Sequence, residues 1–226
     1  MNEKGLQVLE QYDIRLQRSF GGRGSLMLET DQGLKLLKEF AGSQTKLPCE
    51  QALLERLEER RVCGVDRIVP NRSGNLVSTG DYDTPYILKN WPPGRECDPR
   101  NEEELQRSMR TLARIHREAR GVWQLGEEEK RKCAGTERLR ELEKHNRELK
   151  RAQSFIRNRH KKGSFELLFL QCAEAVFRDG RLALEKLEAS GCGELYERAL
   201  REEHVCHGEY IHHNILISRQ EPAVVN

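Results

Sequence analysis

His207-Gly208-Glu209-Tyr210-Ile211-His212-His213-Asn214-Ile215-Leu216 is the stretch from which the fold is read. Val205-Cys206 gives it a short apolar approach, and an apolar run begins at Ile215. Glu209 follows His207 by two positions, and Asn214 follows Glu209 by five. A phosphoryl-transfer loop needs these residue types in this order. One carboxylate accepts a hydroxyl proton, and a short loop later an amide oxygen meets the metal ion that carries the phosphates. Taken alone, the segment also reads as a polar hairpin with several histidines.

Three upstream elements stand in the order such a site requires. Gly21-Gly22-Arg23-Gly24 lies between two predicted strands, where Gly22 and Gly24 let backbone N–H groups approach phosphate oxygens with no Cβ in the way. The turn does not match G-x-G-x-x-G, and no G-K-[ST] follows it. Next comes Leu34–Phe40, whose alternation puts Leu34, Leu36 and Lys38 on one face and Lys35, Leu37 and Glu39 on the other. Leu36 would then lie over an adenine ring and Lys38 would reach the phosphates, with Lys35 the rival lysine on the opposite face. Third is an acid to hold that lysine: Glu50, near the start of the following helix, with Glu55 as the alternative.

Around these elements the chain reads as an α+β fold in two lobes. Residues 1–91 form a β-rich lobe with one helix. Apolar residues on alternate positions predict a strand at Tyr12–Phe20, the extended pattern resumes at Leu26–Thr30, Leu34–Phe40 is a third strand beyond the turn Asp31-Gln32-Gly33, and the helix spans Pro48–Arg61. Strands near Arg67–Val69 and Leu76–Ser78 precede a last one at Tyr86–Trp91, and Pro92-Pro93-Gly94 is a linker. Residues 92–226 form a helical lobe that holds the loop. Asn101 caps a helix striped by Leu105, Met109, Leu112 and Ile115, and longer helices span Thr136–His160 and Ser164–Ala189, the latter interrupted at Gly180. A short helix at Glu194–Glu203 is followed by strands at Val205–Cys206, Ile215–Ser218 and Ala223–Val225.

Composition narrows the partners. Charged residues make up 34% of the chain, yet the formal net charge is only +2, with arginines and lysines interleaved among glutamates. No clustered basic face suggests nucleic acid or a membrane surface, and no apolar run is long enough to span a bilayer. Met1-Asn2-Glu3-Lys4 leads into no secretory segment, so synthesis in the cytoplasm is expected. The seven cysteines are scattered without a C-x-x-C pair and read as reduced thiols. Cys192, Cys206, His207 and His212 match no defensible zinc spacing.

The loop resembles the HGD-x-x-x-x-N loop of the aminoglycoside phosphotransferase and choline kinase group, with Glu209 where that group has Asp. A wider set of residues is similar to the CotS family of spore-coat proteins from endospore-forming Firmicutes, a branch of the aminoglycoside phosphotransferase-like kinases. The set comprises Arg23-Gly24-Ser25, Thr30 to Phe40, Tyr86-Ile87-Leu88-Lys89-Asn90-Trp91, Gly94-Arg95-Glu96-Cys97-Asp98, Leu112-Ala113-Arg114-Ile115-His116 and Cys206 to Tyr210. The Leu-Ala-Arg-Ile-His helix and the loop mark the wider superfamily, and the remainder points to the coat branch.

The resemblance implies a two-lobed protein kinase-like fold with ATP and Mg2+ as cofactors. It implies Lys38 as the ATP lysine, Glu209 as the catalytic acid and Asn214 as a metal ligand. Leu88, Asn90 and Trp91 fall in a hinge whose backbone would meet adenine. It also implies a place in the spore coat, with other coat proteins as partners, either as a phosphotransferase or as a non-catalytic assembly protein. The family's second metal-binding Asp has no counterpart before Asn226, and the expectation is that the reading frame continues with it within about three residues.

Overall fold

The computed structural model describes residues 5–22, 24–122, 126–219 and 221–226, so Arg23 of the glycine turn and the opening Met1–Lys4 lie outside the described residues. Contacts divide the chain into one unit of residues 1–133 with 203–226 and another of residues 134–202. The boundary expected after Trp91 falls inside the first unit.

The first unit is built on a five-stranded antiparallel sheet. β1 (Leu16–Gly22), β2 (Ser25–Thr30) and β3 (Gly33–Glu39) form a meander, and β6 (Pro85–Asn90) and β5 (Ser78–Thr79) complete the order β1-β2-β3-β6-β5. The first strand starts later than Tyr12, because Leu6–Gln11 is a 3-10 turn that drops Val8 and Tyr12 against the sheet. With Leu28, Leu37, Tyr86 and Leu88 they form one core, and the side chains of Val8, Leu28 and Leu88 are fully buried.

Helix α1 (Leu47–Glu59) has Pro48 in its first turn, where a missing N–H costs nothing. Gln51 anchors it: its side chain accepts from Ile68 N at 3.1 Å and donates to Ile68 O at 3.3 Å. Ile68 makes only an isolated bridge to Lys89, in place of the strand expected at Arg67–Val69, because its N–H and C=O are both given to Gln51.

A second sheet has the order β4-β9-β8-β7, with β4 (Gly64–Val65), β7 (Arg95–Glu96), β8 (Ile215–Ile217) and β9 (Ala223–Val224). β4 runs parallel to β9, while the other pairs are antiparallel. Val205–Cys206 is not a strand.

Helix α2 (Glu102–Glu118) begins at the expected cap, with Asn101 Oδ1 accepting from Glu104 N at 3.2 Å. Of the predicted stripe only Ile115 is buried. Glu104, Ser108, Thr111 and Ile115 face inward, while Leu105 and Met109 are exposed. The carboxylate of Glu104 explains the rotation, since it accepts from the two terminal guanidinium nitrogens of Arg95, Nη1 and Nη2, and from the N–H of Asp98. An inward Glu is stable only with such partners. Helix α3 (Glu127–Cys133), which the sequence pattern does not show, ends the first stretch of this unit.

The second unit is helical: α4 (Arg138–Asn158), α5 (Ser164–Ala189) and α6 (Cys192–Arg201). Gly180 does not interrupt α5. A Cβ there would come within 2.6 Å of Asn146 Oδ1, and Asn146 Nδ2 donates to Gly180 O at 3.1 Å. The glycine allows close approach of α4. Among the described residues, no helix is long and apolar enough to cross a membrane.

Candidate functional site

Strand pairing places Leu36 opposite Lys89 and Lys38 opposite Ile87, so these four side chains share one face of the first sheet. Lys89 is the best-partnered of them. Its Nζ donates to Asp66 Oδ2 at 2.9 Å, to Asn226 O at 3.1 Å and to Glu50 Oε1 at 3.4 Å. The Lys89 and Asp66 side chains are each only 3% exposed, so this is a buried ion pair. Asp66 Oδ2 also accepts from Asn226 N at 3.0 Å. Burial pushes the Asp66 carboxyl above its ordinary range, and Lys89 and the Asn226 N–H pull it back.

Glu50 is therefore on α1 as expected but bonds Lys89, not Lys38. The reason is position: Lys89 projects from the inner strand β6 into the buried space beside Asp66, and Glu50 from the first turn of α1 meets it there. Lys38 is half-buried and makes no ion pair with a described residue. Burial and the neighbouring Lys89 push its ammonium below the ordinary lysine range, while Asp66, Glu50 and Glu209 draw it upward. Lys38 thus feels the charges of all four groups at once.

Lys35 belongs to the opposite face and is more buried than Lys38. Its Nζ donates to Gln32 O and Asn90 Oδ1, each at 2.7 Å. The Asn90 side chain is thus committed away from the face of Lys38. Of the proposed adenine-facing segment, the Leu88 carbonyl accepts from Val69 N, Asn90 N donates to Arg67 O, and Trp91 N donates to Leu34 O. The Leu88 side chain lies in the sheet core. The ring of Trp91 packs against the β8–β9 hairpin at Leu216, Ala223 and Val225.

The loop is held from below. Tyr210 Oη donates to Ser108 O on α2 at 2.6 Å, and the His207 and Tyr210 rings meet edge-on at 5.6 Å. Burial pushes the Tyr210 phenol up and the His207 imidazole down. Glu209 itself is exposed, beside Gly208, whose φ of +84° is the left-handed turn that glycine favours. Asn214 Nδ2 donates to the Glu209 carbonyl at 3.1 Å, so the two predicted residues are tied through the backbone. His213 Nδ1 meets Glu96 Oε2 at 2.5 Å.

The glycine turn closes the β1–β2 hairpin, with Gly22 opposite Ser25 and Gly24 at φ +71°. A Cβ at Gly22 would press on the flexible Met27 side chain, whereas one at Gly24 would meet open space. The backbone angle thus favours glycine at 24, while a side chain at 22 would need Met27 to shift.

These residues do not make a metal site of their own. Among the described residues, no group of three His, Cys, Asp or Glu side chains is placed to hold an ion. The carboxylates of Asp66 and Glu50 are both turned to a cation already, Lys89. A divalent ion here would take most of its oxygens from phosphates, as Mg2+ commonly does. A cavity of about 460 Å³, lined by Arg107, Arg110, Arg114, Arg219 and Glu221, shares none of these residues.

Nothing local in the sequence marks Asp66 and Lys89 as a pair. The available signal was a lone acid in Cys63-Gly64-Val65-Asp66-Arg67-Ile68-Val69 and a lone lysine after Tyr86-Ile87-Leu88. A charge in so apolar a run needs a partner.

The fold is that of the aminoglycoside phosphotransferases, within the kinase-like group. An aminoglycoside phosphotransferase from Alicyclobacillus acidocaldarius superposes with a TM-score of 0.67 at 17% identity, covering 98% of this chain and 64% of that one. The spectinomycin phosphotransferase solved with ADP and spectinomycin gives 0.56 at 12% identity, over 97% of this chain and 68% of the other. A microcompartment-associated aminopropanol kinase gives 0.50 at 15% identity, over 97% and 66%. The chain therefore spans about two thirds of the length of these structures. No protein-family model and no curated protein matches the sequence.

Proposed function

We propose that this chain forms the nucleotide-binding and catalytic-loop part of an ATP-dependent, kinase-like phosphotransferase associated with the spore coat. The observation that carries the reading is the convergence of Lys38 with Glu50, Asp66, Lys89 and Glu209 in a kinase-like fold. In that reading Lys38 takes a phosphate oxygen, and the Lys89 pair holds Glu50 and Asp66 in place around it. Glu209 orients the acceptor hydroxyl and takes its proton. Asn214, steadied by its bond to the Glu209 carbonyl, would be the residue that holds Mg2+ bound with the phosphates. That ion would neutralise charge on the phosphates. Structures of similar fold with ADP or AMP support the nucleotide, and the coat assignment rests on the likeness to the CotS family.

A second reading is a kinase-fold assembly protein of the coat without catalysis. It is favoured by the bond of Glu50 to Lys89 and by the longer Glu at the position of the catalytic acid. The experiment that separates them is transfer of the γ-phosphoryl group from labelled ATP, with Mg2+, to water or to coat proteins. Label release that depends on Glu209 supports the first reading. A folded protein that binds nucleotide without release supports the second.

A further inference from the structure

The thiols of Cys49 and Cys133 lie 2.8 Å apart, although 84 residues separate them in the chain. Cys49 is in the first turn of α1 and Cys133 is the last residue of α3, both within the first unit. Each is partly exposed, so a small oxidant can reach them. The 3-10 turn at Gln44–Lys46 packs against both helices and holds the two ends together. None of this depends on the function proposed above.

We propose that Cys49 and Cys133 form a reversible disulfide, a modification site that joins α1 to α3. The thiols need to close by only about 0.8 Å to reach the length of an S–S bond, ~2.0 Å. The oxidant is of the class of small disulfides, such as oxidised glutathione. One cysteine thiolate attacks a sulfur of glutathione disulfide, forming a mixed disulfide and releasing one glutathione thiolate. The second cysteine thiolate attacks the protein sulfur of that mixed disulfide and releases the second glutathione. The two protons lost by the cysteines end on the two glutathione thiols, and the two electrons reduce the glutathione disulfide.

The consequence follows from the next residue. Glu50 adjoins Cys49 and reaches Lys89 from the same helical turn. The bond would pin that turn to α3 and so hold Glu50 at the Lys89–Asp66 pair. Closing so long a loop also removes freedom from the unfolded chain.

The test is thiol mapping. The folded protein is incubated with oxidised glutathione, then unfolded in denaturant with N-ethylmaleimide to block every remaining thiol, digested and analysed by mass spectrometry. The expected result is one cross-linked peptide pair, Cys49 with Cys133, removed by dithiothreitol, with the other five of the seven cysteines blocked as thiols. Oxidation should raise Tm by roughly 5–15 °C. Neither Cys49→Ser nor Cys133→Ser should show that rise. Lasting glutathione adducts on Cys49 or Cys133 without the cross-link would overturn the proposal. So would a cross-linked pattern dominated by other pairs. The mapping uses the unaltered protein, so it decides the matter even if a variant does not fold.

Discussion

Lys89 Nζ sits 2.9 Å from Asp66 Oδ2, and the two side chains form a buried pair between β6 and the segment after β4. Each ion is tolerated there because the other neutralises it, and Glu50 and the Asn226 main chain complete the hydrogen bonding. Removing one partner strands the other. Asp66→Ala should destabilise the fold by about 3–5 kcal/mol in urea unfolding. The double variant Asp66→Ala with Lys89→Met should lose less than the sum of the single changes. Additive losses would show that the pair is not coupled.

Lys35 is a structural residue in this arrangement. Its buried ammonium holds the Gln32 carbonyl and the Asn90 side chain at 2.7 Å. Lys35→Ala should lower stability by about 1–3 kcal/mol, since two acceptors lose a charged donor. Lys35→Met restores the packing but not the bonds and should recover only part of the loss. Chemical unfolding of the three proteins measures this directly.

Glu209 is exposed in its loop, and its side chain is one methylene longer than the Asp that the family resemblance implies for a catalytic acid at this position. Displacement of a catalytic carboxylate by roughly 1 Å can cost on the order of a hundredfold in rate. Glu209→Asp should therefore raise phosphotransfer or ATP hydrolysis roughly tenfold or more, and Glu209→Gln should remove it. No gain with Asp and an unchanged rate with Gln would take Glu209 out of the mechanism.

Cys63 supplies a pH prediction. Burial in the core with Leu57, Val62 and Ile115 pushes its thiol from 9.0 up to about 12. The folded state thus holds a proton that the unfolded chain releases. That contribution is fully present below pH 9, and it is lost as pH rises toward 12. The slope between is at most about 1.4 kcal/mol per pH unit. Cys63→Ala should show a shallower loss of stability between pH 9 and 10.5 than the unaltered protein. Identical slopes would mean that the thiol is not buried.

The meander, α1 and the long helices are legible because their periodicities are local. Successive residues from Leu34 to Glu39 point to opposite faces, and the register with β6 keeps Lys38 and Leu36 on one of them, as the strand period implies. Partnership is not local. Nothing near Lys38 in the sequence says that a second lysine, 51 residues on, will take Glu50. The stripe on α2 misleads for a similar reason: Arg95 and the Asp98 N–H, outside the helix, turn Glu104 inward and leave Leu105 and Met109 exposed. Tyr12 joins the core without being in a strand, since its hydroxyl has Ser78 to bond at 3.0 Å. Local alternation cannot distinguish these cases.

In the proposed function the face carrying Lys38 receives the phosphates of an adenine nucleotide. Calorimetric titration of ADP, in the presence of Mg2+, tests it most directly when run on the unaltered protein, on Lys38→Ala and on a control at the exposed Lys161. Loss of one charged hydrogen bond to phosphate costs about 1.5–3 kcal/mol, or roughly ten- to a hundredfold in Kd. The expected result is binding by the unaltered protein, weakening of that size for Lys38→Ala, and no change for Lys161→Ala. Mg2+ alone should give no heat of binding. A folded protein that binds no ADP, or one whose affinity is the same after Lys38→Ala, would contradict the account.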